Sequence, residues 1–452
     1  GPSPVKLRLA ANPAMNNDDL LRRSLDAVWH PCTQMKLHET LPLVPIRRAE
    51  GPWLEDFDGR RYLDAISSWW VNLFGHGNPR IVAALREQLD TLDHVMLAGF
   101  THEPVVALSE KLAALTGHAL GHCFYASDGA SAVEIALKMS FHFWRNTGQR
   151  GKNRFLGLAG SYHGETLGAL AVTDVALFRD AYAPLLRACD TVPSPDGRLA
   201  GAGQTPRDAA VAAAIALEAT LAENHHEVAA LIVEPLVQCA TGMAMHDAEY
   251  LRRARNLCDF YGVHLIADEI AVGCGRTGSF FACEQADIVP DFLCLSKGIS
   301  GGTLPLSVTM TTDAVYAAFY DDLTARGFLH SHSYTGNPLA CRAALATLAI
   351  FEEDGMIDAN RRLAAQINER AAPLAADPRL RHFRNTGLIW AFDAATEDPL
   401  FARRFHQAAM ARGLLLRPLG NTVYFMPPYI LSGEEIELLI SGTKAALDEV
   451  LG

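Results

Sequence analysis

The chain has 452 residues, 49% of them hydrophobic and 20% charged, and a formal net charge of -12 from 39 basic and 51 acidic residues. This composition excludes disorder and fibres, and the acidic balance offers no footprint for nucleic acid or an anionic membrane. None of the nine cysteines sits at the close paired spacing of a zinc site, so no metal is expected and they read as free thiols of a cytoplasmic protein.

In chain order, the opening GPSPVKLRLAANPAMNNDDL has no apolar core, so no secretory signal is expected. No apolar run reaches the roughly 18 residues of a membrane span. Short strands are predicted over Pro45–Ala49, Trp53–Asp56 and Tyr62–Ile66, with glycines and aspartates at the turns. Cys123–Ala126 reads as a strand, followed by the turn Asp128-Gly129-Ala130-Ser131 and a helix from about Ala132 to Arg145. Phe155–Leu158 is a further strand, and Asp208–Ala222 has helical spacing. Three apolar runs follow: Ala229–Val233, Val263–Ala267 and Asp291–Leu295, with a helix over Asp247–Tyr261 between the first two. Strands apolar almost throughout, alternating with helices, predict an α/β fold with a mostly parallel sheet. From Arg342 a long helix, strands near Gly387–Phe392 and Val423–Met426, and a last helix over Glu434–Leu447 predict a smaller α+β domain. The expected division is 1–75, packing with the small domain; 76–341, the large domain; and 342–452, the small domain.

Ligands of open α/β sheets bind at the carboxyl ends of the strands, so polar residues just after apolar runs are the candidates. Lys297, in LCLSKGISGG, is either a surface lysine or a partly desolvated nucleophile. Asp268, in HLIADEIAVGCGRTG, either caps the next segment or serves a ligand. Together with the Asp128–Ser131 turn they match what pyridoxal phosphate needs. That cofactor requires a lysine for its aldehyde, a carboxylate beside its pyridine nitrogen, a helix N-terminus for its phosphate and a face to stack on. Tyr162 and His163, in GSYHGET, offer an aromatic face. One of the adjacent Trp69 and Trp70 is expected to line a cavity, and Arg417 is either structural or a clamp for a substrate carboxylate.

IADEIAVGCGRTG followed by LSKGISGG is similar to the signature of the class III aminotransferases of pyridoxal-phosphate fold type I, and the resemblance runs from about Trp29 to Tyr429. WHPCTQM, ISSWWVNLFGHGNP, HVMLAGFTHEP, LIVEPLVQCATGM and YFMPPYI resemble the biotin-pathway branch of that class. The resemblance implies amino transfer from S-adenosylmethionine to 8-amino-7-oxononanoate by a homodimer. It implies Lys297 as the Schiff-base lysine, Asp268 beside the pyridine nitrogen, Gly129 and Ala130 at the phosphate, and Tyr162 on the ring. Ser333, with His332 beside it, would reach the phosphate in the other subunit. Trp69 and Ser331 would line the substrate site, Arg417 would hold the oxononanoate carboxylate, and Arg276 is a candidate for the donor site. The chain departs from the pattern at Cys32, where a tyrosine is usual, at Ala130, where a hydroxyl residue often stands, and at Glu165, where aspartate is usual. Cys32 removes an aromatic wall and leaves the amino donor open, lysine included. Rival readings are a transaminase of ω-amino acids or diamines, an aminomutase, and a dinucleotide-binding protein. The last lacks a G-x-G-x-x-G after the first strand.

Overall fold

Val228–Val233, His264–Asp268 and Phe292–Leu295 are buried at every position. Strands with no wet face need cover on both sides of their sheet. In the computed structural model, which describes residues 15–187 and 189–452, they lie at the centre of seven strands. Most of the stretch expected to lack a signal, residues 1–20, lies outside the described residues. The spatial order is His122–Ala126, Ser307–Thr311, Phe292–Leu295, His264–Asp268, Val228–Val233, Arg154–Leu158, Asp190–Val192. All pairings are parallel except those of Ser307–Thr311, which runs antiparallel to both neighbours. The fold is therefore the α/β, mostly parallel arrangement expected from the apolar runs. The antiparallel strand was not foreseen, because SVTMT alternates polar and apolar residues although all five are buried.

The register fixes where the chemistry sits. Ala267 lies opposite Val233, and Asp268 lies opposite Cys294. The three central strands thus end together, and Glu234, Asp268 and the Ser296-Lys297 pair emerge along one edge.

A second sheet joins Ile46–Glu50, Trp53–Asp56 and Arg61–Asp64 to Leu414–Leu415, with the last pairing parallel. The predicted strand over Tyr62–Ile66 stops at Asp64, because the backbone then enters a turn of positive φ. A third sheet holds Leu380–Thr386, Ile389–Ala394 and Thr422–Phe425. The expected strand from Gly387 begins two residues later. Gly387, at φ 55°, makes the turn, and a Cβ there would lie 2.3 Å from the Thr277 carbonyl carbon. Among the described residues no helix is long and apolar enough to cross a membrane.

Candidate active site

The helix Gly129–Asn146 starts where Asp128 caps it, accepting from the Ser131 N–H at 3.1 Å and the Ser131 hydroxyl at 2.6 Å. It begins three residues earlier than its apolar pattern predicts, so Gly129 and Ala130 form its first turn and face a cavity of about 680 Å³. Gly129 is required there, since a Cβ would come within 2.9 Å of Ile270. The unpaired N–H groups and dipole of an 18-residue helix make this end a seat for an anion.

Lys297, Asp268, Tyr162 and Trp70 line the same cavity. Lys297 is at φ 23°, a conformation side chains rarely adopt, and its Nζ lies 4.9 Å from the centroid of the Trp70 ring. Burial pulls its amine below the usual lysine range, opposed by the nearby Cys239, Asp268 and Glu165. Asp268 is buried. One of its oxygens pairs with His163 Nδ1 at 2.7 Å, and the other accepts from the Ile270 N–H at 3.0 Å. The Tyr162 hydroxyl donates to Glu165 at 2.6 Å, and its N–H donates to Glu234 at 3.2 Å. Burial, followed by the charge of Asp268, drives the Glu234 carboxyl well above the carboxylate range, opposed by the N–H groups of Tyr162 and Cys239 that it accepts from.

The other expected residues stand apart from this wall. Trp69 is 42% exposed and carries Arg417 over its ring at 5.1 Å from the centroid, so of the two tryptophans it is Trp70 that faces the lysine. Arg276 is 1% exposed and does not line the cavity. Its guanidinium donates to the carbonyls of Pro427 at 2.6 Å and Leu388 at 3.4 Å and lies over Tyr429. Those partners hold it between the loop after Asp268 and the C-terminal part, which accounts for its absence from the donor side of the cavity. Ser331 and Ser333 are exposed and His332 half-buried, none of them at this chain's cavity. Sequence reasoning passed over Glu234, although it follows an apolar strand in the same way as Asp268 does. It also took His163 only as an aromatic face, whereas its nitrogen on Asp268 is what the structure shows.

The residues present fit pyridoxal phosphate. A partly desolvated amine, a buried carboxylate oriented by two hydrogen bonds and an N-terminal helix cradle that a Cβ would crowd all face one cavity. The family described as Aminotransferase class-III matches residues 34–447. The chain belongs to the class III aminotransferases, whose cofactor is pyridoxal phosphate. It is 46% identical to the adenosylmethionine-8-amino-7-oxononanoate aminotransferase of Helicobacter pylori, over 96% of this chain and 98% of that one. The crystal structure of the enzyme of the same name from Methanocaldococcus jannaschii superposes with a TM-score of 0.90 at 31% identity, covering 96% of this chain and all of the other. An amine transaminase from an uncultivated Pseudomonas species, in its PLP-bound form, superposes at 0.89 and 31% identity over 94% and 99% of the two chains.

Proposed function

We propose that this chain transfers the amino group of S-adenosylmethionine to 8-amino-7-oxononanoate, giving 7,8-diaminononanoate for biotin synthesis. Identity of 38–46% with relatives of that name, over 94–96% of this chain, carries the reading. When bound, pyridoxal phosphate supplies an electron sink for the carbon that loses or gains the amine. Lys297 would hold the cofactor's aldehyde carbon and, once the incoming amine has displaced it, its free Nζ would take up and return the proton at the reacting carbons. Its lowered basicity suits both tasks at neutral pH. Asp268, fixed by His163 and the Ile270 N–H, keeps a proton on the pyridine nitrogen. The first turn of the Gly129 helix takes the phosphate, and Tyr162 covers the ring. Arg417, beside Trp69, holds the carboxylate of the oxononanoate.

The same proposal includes a homodimer and a cytoplasmic location. Leu329 and Tyr334 flank Ser331–Ser333 and are 77% and 63% exposed, and Trp29 is 89% exposed. His94 bonds the Ser333 carbonyl at 2.8 Å and packs against Tyr334, tying this segment to the exposed Met96 and Phe100. A second copy covering these side chains would bring Ser333 and His332 to its own cofactor phosphate. The nine cysteines are free, which suits a reducing cytoplasm. The boundaries near 75 and 341 remain our division of the chain into large and small domains.

The test is the absorption spectrum of the purified protein with pyridoxal phosphate. A visible band should form, bleach on adding S-adenosylmethionine and return on adding 8-amino-7-oxononanoate. A band bleached only by another donor, lysine included, would leave the cofactor reading standing and remove S-adenosylmethionine.

A further inference from the structure

The two tryptophans are carried by a backbone that L-residues avoid. Ser67, Ser68, Trp69 and Trp70 have φ values of 52°, 49°, 73° and 73°. At Ser68 and Trp69, ψ is 51° and 47°. Four consecutive non-glycine residues thus make one left-handed turn. It is closed by the N–H groups of Trp70 and Val71, which donate to the carbonyls of Ile66 and Ser67 at 2.8 and 2.9 Å. Crowding between Cβ and the following carbonyl disfavours this hand at each residue, so such a run persists only where its surroundings over-determine it.

Here they do. Asp64 is 0% exposed. It accepts from the Ser68 N–H at 2.8 Å and from the Ser68 hydroxyl at 2.6 Å, and His76 Nε2 lies 2.8 Å from the same oxygen as that hydroxyl. His76 is itself fixed, exchanging two backbone hydrogen bonds with Gly51. The Ser67 hydroxyl donates to the Met426 carbonyl at 2.6 Å. The hand matters because it decides which neighbour points where. A right-handed turn at this place would redirect both rings, whereas this one sends Trp70 to Lys297 and Trp69 to Arg417.

We propose that Asp64 is a positioning residue of the amino transfer. Its buried carboxylate holds Ser67–Trp70 left-handed and so fixes the span between the lysine end and the arginine end of the substrate site. The proposal rests on the reading of Lys297 and Arg417 given above. It assigns Asp64 a part in recognising the carboxylate-bearing acceptor, although it lies behind the two rings rather than at the cavity.

The experiment compares wild type with Asp64→Asn, with Ser68→Ala, which removes one donor at an exposed position and keeps the Cβ crowding, and with the double variant Asp64→Asn/Ser68→Gly. Near-ultraviolet circular dichroism of the cofactor-free proteins reads the tryptophan pair directly. Steady-state kinetics of the holoenzymes read KM for each substrate. The expected result is an altered tryptophan signal in both single variants and an acceptor KM raised about tenfold in Asp64→Asn, the weight of one charge-assisted hydrogen bond. The KM should rise less in Ser68→Ala, with the donor KM held within about twofold in both. Glycine needs no clamp at positive φ, so the double variant should recover most of the acceptor KM. Unchanged acceptor KM in both folded single variants overturns the proposal, as does an equal rise in both KM values. A wild type that forms no visible band with pyridoxal phosphate refutes the reading of Lys297 instead.

Discussion

Replacing Lys297 by methionine should make the cofactor-free protein more stable while ending its activity. Methionine keeps most of the apolar stem and discards only the amine. What the amine gains is its place over the Trp70 ring and the nearby carboxylates of Asp268 and Glu165. What it loses is hydration, and the downward displacement of its pKa says that the loss outweighs the gain. Exchanging a buried charge for an apolar side chain of similar volume is neutral to stabilising, and about 1–3 kcal/mol is expected here at pH 7. The sign fixes the pH dependence. A lysine whose folded pKa is lowered penalises the folded state fully below that pKa. The penalty fades as the pH climbs towards the ordinary 10.5 of the unfolded chain. Urea unfolding of the two cofactor-free proteins, at equal concentration and at pH 7 and 10, measures both effects. Lys297→Met should be ahead at pH 7, with the gap narrowing by pH 10. A variant less stable than wild type at pH 7, or a gap that widens with pH, would refute the reasoning.

On the proposed reading, Asp268→Asn removes the charge that would hold a proton on the pyridine nitrogen. It should lower kcat about 10²–10³-fold in single-turnover assays while the visible band still forms. Gly164→Ala would place a Cβ 2.9 Å from the Cα of Ala130 and 2.5 Å from its Cβ, at a φ of 122°. It should push back the first turn of the helix and weaken cofactor retention at least tenfold in equilibrium dialysis, with the far-ultraviolet spectrum preserved. Arg417→Met should raise the KM for 8-amino-7-oxononanoate by about 10–100-fold, the value of a charge-assisted hydrogen bond to a carboxylate, and change the donor KM little.

What the sequence made legible follows periodicity. The apolar runs ending at Val233, Ala267 and Leu295 found the central strands to within a residue or two at each end. Because parallel strands end in register, the polar residues just beyond them marked the cavity. Ser307–Thr311 escaped notice because three of its five buried residues are polar, and its threonines are buried through hydrogen bonds rather than apolarity. The Thr309 hydroxyl donates to the Ala132 carbonyl at 2.8 Å, and that of Thr311 to the Asp291 carbonyl at 2.9 Å. The position of Arg276 off the cavity was hidden for a similar reason, since spacing along the chain cannot reveal that its guanidinium donates to carbonyls 112 and 151 residues away. The left-handed turn left no trace either. Serine and tryptophan show no preference for positive φ, and the cause lies in Asp64 and the Met426 carbonyl.

The pairing of Arg61–Asp64 with Leu414–Leu415, and of Ala65 and Ser67 with Met426, sets a clock on the ribosome. At the usual 5–20 residues per second, about 20–70 s separate the synthesis of Asp64 from that of Met426. In the last part of that interval, once Ser307–Thr311 has been made, the strands carrying Asp268 and Lys297 can assemble, but the tryptophan turn still has nothing to close against. A nascent chain is therefore able to capture cofactor before it is able to read a substrate, and the order of synthesis separates loading from turnover.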